Sequence, residues 1–438
     1  MTTTPSPERS STSFSTADHA RTVWEDGCVP GQVIVTGASV AADHARAMTP
    51  SLSGVLAGGD RTFAVDLNSV PTPAADWAES GAKELTGYAG GPALEARGHP
   101  AAAARAALAV LSALSEVSDL PGVELLGERA ALAGLTRNAP RSCGGAMGFL
   151  RTTDGHLALS LARPSDVELV PAITQATVTA DPWTTMTHWA RSQSATVAAA
   201  RCQLLGVPAS PVLPAGHPSH AIPTPRPWLL AHRGGPRPAG PRRHKPPVVV
   251  DLTSLWAGPL CARLLRHTGA HVIKVESTGR PDGSRAGQPA FFERMNAGSE
   301  HVALDFASDD GRRQLRGLLT AADVVLEASR PRALRQLGID ASEAVRAGTV
   351  WLSITARGRD SDWVGFGDDV AAGAGLLAQA DEPLPAGDAL ADPLAGLHAA
   401  VAVSAALTTG QGWLLDLSMH DTARLCVTPA AARPGGSS

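Results

Sequence analysis

From residue 247 onward, short β-branched runs alternate with amphipathic stretches. VVVDLTSL (248–255) reads as a buried strand, and GPLCARLLRHTG (258–269) as an amphipathic helix closed by Gly269. HVIKVES (271–277), HVALDF (301–306), ADVVLEAS (322–329) and TVWLSIT (349–355) continue the strands, with a helix expected over 310–320. Strands alternating with helices predict an α/β fold, a doubly wound parallel sheet. In such sheets ligands lie at the carboxyl ends of the strands.

The pattern differs before residue 214. GQVIVTGAS (31–39) reads as an ordinary strand and turn. Residues 76–118 carry apolar positions at spacings of three and four and read as Ala-rich packing helices. Residues 146–172 read as strand, Asp154-Gly155 turn, strand and helix, and 183–206 as two more helices. This predicts a smaller α+β domain. The expected boundaries are a variable, partly disordered N-terminus over 1–60 and the smaller domain over 61–213. A Pro/Arg-rich linker follows over 214–246, then the sheet domain over 247–430 and a disordered tail over 431–438.

Composition narrows the partners. Hydrophobic residues make up 44%, enough for a sizeable core, and the net charge of −4 argues against a nucleic-acid binder or a basic membrane-surface protein. Affinity for a phosphorylated ligand therefore has to come from local arginines. No membrane span and no signal peptide are expected. The five cysteines are scattered without a CxxC pair, so neither a zinc site nor a disulfide framework is indicated. A reducing cytoplasm is the expected setting, and the Ala/Gly/Pro/Arg-rich usage suggests a GC-rich bacterial genome. The VTGAS run lacks a GxGxxG fingerprint and a Tyr-x-x-x-Lys pair, which argues against a nicotinamide-dependent reductase.

Ordered motifs carry a more specific signal. DLTSLWAGPL (251–260) and TGAHVIKVE (268–276) are followed by FFERMNAGSEHVALDF (291–306) and ADVVLEASRPRALRQLGID (322–340). VWLSITARGRD (350–360), GDALADPLAGLHAA (387–400) and GQGWLLDLSMHD (410–421) complete the series. This series resembles the family III CoA-transferases, the CaiB/BaiF group that includes formyl-CoA transferase and α-methylacyl-CoA racemase. The resemblance implies that the sheet domain binds coenzyme A as an acyl-CoA substrate, with no metal, and that a carboxylic acid is the second substrate. It also implies a homodimer.

Ala257, Gly258 and Pro259 open a helix directly after a strand, where small residues admit a ligand to the helix N-terminus. Glu276 ends the next strand, and Arg280, Arg285 and Arg330 lie just beyond strand ends. Arginine can pair with the phosphates of CoA and stack on its adenine. With Asn296, these residues form the expected CoA-binding set. Asp392, in LADPLAGLH, falls where the resemblance places the catalytic aspartate. Asp before Pro at a helix start is also a good capping arrangement, so nucleophile and cap are both open readings.

Three departures bear on activity. The racemase branch carries a G-H-D triplet, and here Gly367-Asp368-Asp369 puts Asp368 in place of the histidine. Asp368 and Asp369 remain candidate catalytic carboxylates beside Asp392. Ser299 follows Asn296-Ala297-Gly298 where a lysine is common. The segment resembling the family's smaller domain, marked by RTTDGHLAL (151–159), precedes the sheet rather than following it. The leading expectation is transfer of CoA between carboxylic acids through a covalent aspartyl intermediate. The alternatives are a 2-methylacyl-CoA racemase or isomerase and a non-catalytic CoA-binding paralogue.

Overall fold

The computed structural model describes residues 30–57, 59–176, 181–214, 226–237, 246–329 and 331–427. Residues 1–29 of the expected N-terminal segment and the expected tail from 431 lie outside them. The alternation predicted from residue 247 forms one seven-stranded sheet. Its strands are β6 (Leu229–Pro236), β7 (Val248–Asp251), β8 (His271–Ser277), β9 (Glu300–Leu304), β10 (Val324–Glu327), β11 (Val350–Thr355) and β12 (Gln411–Ser418). Their order is β6-β12-β11-β10-β7-β8-β9, parallel throughout except that β6 runs antiparallel to β12. The chain starts in the middle at β7, grows outward to β9, then returns to β10. The topological switch therefore lies between β7 and β10, where this architecture opens its ligand crevice.

Two parts of the expected domain division differ from the structure. Residues 229–236 are the edge strand β6, within the stretch read as linker. The Pro and Gly residues that argued against a strand are tolerated because β6 is an edge. Its glycines also admit a neighbouring helix: a Cβ at Gly234 would lie 2.2 Å from the Val345 carbonyl oxygen. Residues 32–66 form one unit, β1 (Gln32–Thr36), α1 (Val40–Leu56) and β2 (Thr62–Asp66), with β1 and β2 parallel. A parallel pair needs a crossover, so a boundary at residue 60 cuts through the unit that α1 closes.

The other helices used below are α2 (Pro100–Ser115), α3 (Glu128–Ala133), α4 (Ala257–His267), α5 (Asp309–Ala321), α6 (Ala341–Arg346), α7 (Gly367–Gly373), α8 (Ala391–Thr408) and α9 (Met419–Val427). Strands β3 (Met147–Arg151), β4 (His156–Ser160) and β5 (Ala209–Val212) make a separate antiparallel sheet, with the expected hairpin at Asp154-Gly155. Helices α5 and α6 cover one face of the large sheet. The opposite face carries α4 and α8, and α1 and α2 share that same core.

Helix α8 is the centre of this packing. It is apolar all round, and Pro393 through Ala406 are buried against α2, α4, α9 and the sheet. Its 18 residues are long and apolar enough to cross a membrane by length and composition, but 83% of that span is buried inside the protein. Its apolar surface is therefore already covered by the fold. His398 of α8 meets His44 of α1 at 3.1 Å between Nε2 atoms, and its Nδ1 lies 2.7 Å from the Leu394 carbonyl. A carbonyl only accepts, so His398 carries its proton on Nδ1 and accepts from the His44 Nε2–H.

Gly396 sets the approach of α8 to α4. A Cβ there would lie 2.6 Å from the Ala257 carbonyl oxygen. Gly396→Val should therefore lower stability by about 1–3 kcal/mol in urea unfolding. Wild-type stability in that variant would contradict the close crossing.

Candidate active site

Asp392 is the second residue of α8. The helix is entered through Leu390, and no side chain caps its start. The Asp392 carboxylate accepts no hydrogen bond among the described residues. It is half-buried, and its own backbone N–H donates to the Ala389 carbonyl at 2.8 Å. The capping reading of Asp392 therefore fails, because a capping carboxylate would accept from the first-turn amides. The side chain is held by position rather than by bonding, as a carboxylate free to react would be.

Three other aspartates surround it. Asp388, fully buried, forms a two-point ion pair with Arg129 of α3, with Oδ2 2.8 Å from the guanidinium Nε. The Cys143 thiol donates to Asp388 Oδ1 at 3.2 Å. Asp368 accepts from the Ala389 N–H at 2.9 Å, and the Ser142 side chain helps to hold its carboxyl down. Asp369, fully buried, accepts from the Phe366 N–H and the Ser160 hydroxyl, each at 2.9 Å, while its Oδ2 has no partner. Asp368 and Asp369 thus sit in the first turn of α7, and Asp369 reaches back to the residue before that helix.

This crowding controls the protonation of Asp392. Burial pushes its carboxyl up to about 7, Arg129 pulls it down, and Asp368, Asp388 and Asp369 push it further up. Burial also raises Asp368 to about 6, with Asp388 adding to the rise, and raises Asp369 to about 7. The Cys143 thiol is pushed up by burial and by Asp388, so it stays protonated at neutral pH.

Arg129, Ser142, Cys143 and Ser160 come from the N-terminal region and were not picked out in the sequence. Arg129 is placed by its neighbour Glu128, which pairs with Arg263 of α4 at 2.7 Å and with Arg294 at 3.1 Å. The Arg129 guanidinium also lies over the Trp256 ring, 5.3 Å from its centroid, at the start of α4. No periodic signal marks a single short helix such as α3. Asp388 stood within the GDALADPLAG block but was not singled out.

The expected CoA-binding residues divide into two groups. Ala257, Gly258 and Pro259 are buried at the start of α4. Their small size serves close packing: a Cβ at Gly258 would lie 2.1 Å from the Thr253 hydroxyl, and Ala257 faces Gly396 of α8. Glu276 and Arg285 pair with each other, with a shortest contact of 2.6 Å, and Arg285 stacks over Phe292. Burial alone would raise Glu276, but the Arg285 hydrogen bonds and the Asp282 N–H hold it below its usual value. Arg280 is exposed beside them. Asn296 is buried and donates to the Phe292 carbonyl at 2.9 Å within its own helix. Arg330 lies outside the described residues.

The loop from β7 to α4 connects the two groups. The buried Lys274 ammonium contacts the Thr253 carbonyl at 2.5 Å, Asp251 at 3.3 Å and Asp282 at 3.4 Å. Asp282 in turn accepts from the N–H of Leu255, which has a left-handed backbone with φ of 69°. This network fixes the loop whose far end carries Trp256 and, beyond it, Arg129.

Comparison with known proteins concerns the sheet region. Residues 247–436 match the sequence model of CoA-transferase family III. An acyl-CoA transferase of Fusarium pseudograminearum is 30% identical over 202 residues, covering 40% of this chain and 44% of that protein. A succinate–glutarate CoA-transferase of Agrobacterium fabrum is 28% identical over 207 residues, covering 40% of this chain and 52% of that protein. A crystal structure of a CaiB/BaiF family protein from Brucella suis shows 30% identity with a TM-score of 0.39, covering 41% of this chain and 54% of that one. The chain spans about half the length of the curated relatives it matches. Residues 247–436 are thus similar in sequence to CoA-transferase family III, as the ordered motifs implied.

Proposed function

We propose that this chain is a CoA-transferase that moves CoA from an acyl-CoA to a second carboxylic acid, with Asp392 as the covalent nucleophile. The observation that carries the reading is the Asp392 carboxylate itself. It is poised at the start of a buried helix, accepts no hydrogen bond among the described residues, and is flanked by Arg129. The helix N-terminus favours its ionised form, and no cap competes for its oxygens.

The chemistry then follows four balanced acyl transfers. The Asp392 carboxylate attacks the thioester carbonyl, forming a mixed anhydride and releasing CoA thiolate. The thiolate attacks the aspartyl carbonyl, forming an enzyme–CoA thioester and releasing the first carboxylate. The incoming carboxylate attacks that thioester, giving a new anhydride and free thiolate. The thiolate then attacks the new acyl carbonyl, yielding the product acyl-CoA and restoring Asp392.

The switch point between β7 and β10 supports a place for CoA. The carboxyl ends of these strands lead into the Leu255–Trp256 loop and into the segment carrying Arg330. Arg280, Arg285 and Arg330 remain the proposed phosphate contacts, with Arg285 already shared with Glu276. A homodimer, a cytoplasmic setting and the absence of a metal requirement belong to the same reading.

Racemisation is the second reading, favoured only by the raised carboxyls of Asp368, Asp369 and Asp392. The test is a donor–acceptor panel of acyl-CoAs and carboxylic acids in deuterated buffer. New acyl-CoA with no deuterium at the α-carbon supports transfer. Deuterium wash-in without CoA exchange overturns it in favour of racemisation.

A further inference from the structure

We propose that Asp368 is a positioning residue, whose carboxylate holds the Ala389 backbone in the left-handed turn that presents Asp392. The inference rests on the reading of Asp392 as nucleophile and adds a role for the residue standing where a racemase base would be.

Ala389 has φ of 46°, a conformation that a residue with a side chain adopts only when its surroundings impose it. Its N–H donates to Asp368 Oδ1 at 2.9 Å, and its carbonyl accepts from the Asp392 N–H at 2.8 Å. The turn is therefore a direct covalent and hydrogen-bonded link from Asp368 to the reacting residue. The glycine before Asp368 makes this contact feasible, since a Cβ at Gly367 would lie 2.2 Å from the Ala389 carbonyl oxygen.

Two more anchors hold the same turn from the N-terminal region. The Gly387 N–H donates to the Thr86 hydroxyl at 2.8 Å, and Asp388 is gripped by Arg129. With one oxygen held by the Ala389 backbone amide, Asp368 is committed to orientation rather than to a substrate proton.

The test compares Asp368→Asn, Asp368→Ala and the double variant Asp368→Ala/Ala389→Gly, reading acyl-adduct formation at Asp392 and the kcat against KM split. Asn keeps an acceptor for the Ala389 N–H, so the rate should fall by no more than about threefold. Asn also removes a negative charge beside Asp392, so its pH midpoint should move downward. Ala should lower kcat roughly 30- to 100-fold with little change in KM, as a misplaced nucleophile does. Glycine at 389 adopts the left-handed turn without strain and should recover much of that loss.

If Asn is as damaging as Ala, Asp368 acts as a base or a charge and the proposal is overturned. If the wild type forms no adduct with any acyl-CoA, the nucleophile reading fails on its own. Hydrogen exchange of the peptide spanning 384–392 then decides the positioning claim. Slow Ala389 exchange in the wild type and Asn variant, with fast exchange in the Ala variant, supports it. Equal exchange in all three overturns it.

Discussion

Asp392→Asn should abolish the acyl-enzyme adduct and lower CoA transfer by about a thousandfold or more, measured with any donor that the wild type accepts. The amide matches the carboxylate in shape, so the packing of α8 is preserved, but it cannot attack a thioester. The neighbouring carboxylates are engaged elsewhere: Asp388 is paired with Arg129, Asp369 is bonded through Oδ1 to Phe366 and Ser160, and Asp368 holds Ala389. The same variant should unfold at a higher temperature than the wild type above pH 7. The folded Asp392 carboxyl titrates near 7, well above an ordinary aspartate, so the folded state binds the proton more tightly. The stability tied to that proton is present at low pH and is lost as pH rises from about 4 through 7. Asn has no such loss, so the difference from wild type should vanish toward pH 4.

Arg129→Leu should shift the pH at which Asp392 becomes reactive upward from about 7 and lower the adduct rate at pH 7 by more than about tenfold. The Arg129 charge favours the ionised form, against burial and three aspartates. Its removal leaves the buried Asp388 without its charge partner, with only the Cys143 thiol still bonded to it, a loss of about 3–5 kcal/mol in stability. The double variant Arg129→Leu/Asp388→Asn separates the two effects. It removes opposite charges together, so the fold should recover and the midpoint should return toward that of the wild type. A single variant with an unchanged pH profile would show that Arg129 is structural only.

The sheet from β7 to β12 was legible because buried parallel strands read as continuous apolar runs and their helices carry a clear face. The position of Asp392 was legible from the LADPLAGLH block. Its environment was not, because Arg129, Ser142, Cys143 and Ser160 lie far away in sequence and reach the site only through tertiary packing. The absence of a cap bond from Asp392 also needed coordinates, since the Asp-Pro dipeptide alone leaves the capping reading open. Edge strand β6 was hidden by its own Gly and Pro residues, which the edge position tolerates. The unit spanning β1 to β2 was divided because pairing partners about thirty residues apart leave no local trace of one another. Small residues at Ala257 and Gly258 suggested ligand approach, whereas their immediate neighbours in the fold are Thr253 and α8. Composition alone does not distinguish a gap for a ligand from a gap for a helix.

The central claim, covalent catalysis by Asp392, is tested most directly by incubating the protein with a panel of acyl-CoAs, quenching with hydroxylamine and mapping the modified peptide by mass spectrometry. The account predicts a hydroxamate on Asp392, formed faster as pH rises through about 7 and absent from Asp392→Asn. Full CoA transfer without modification of Asp392, or trapping at Cys143 instead, would contradict it.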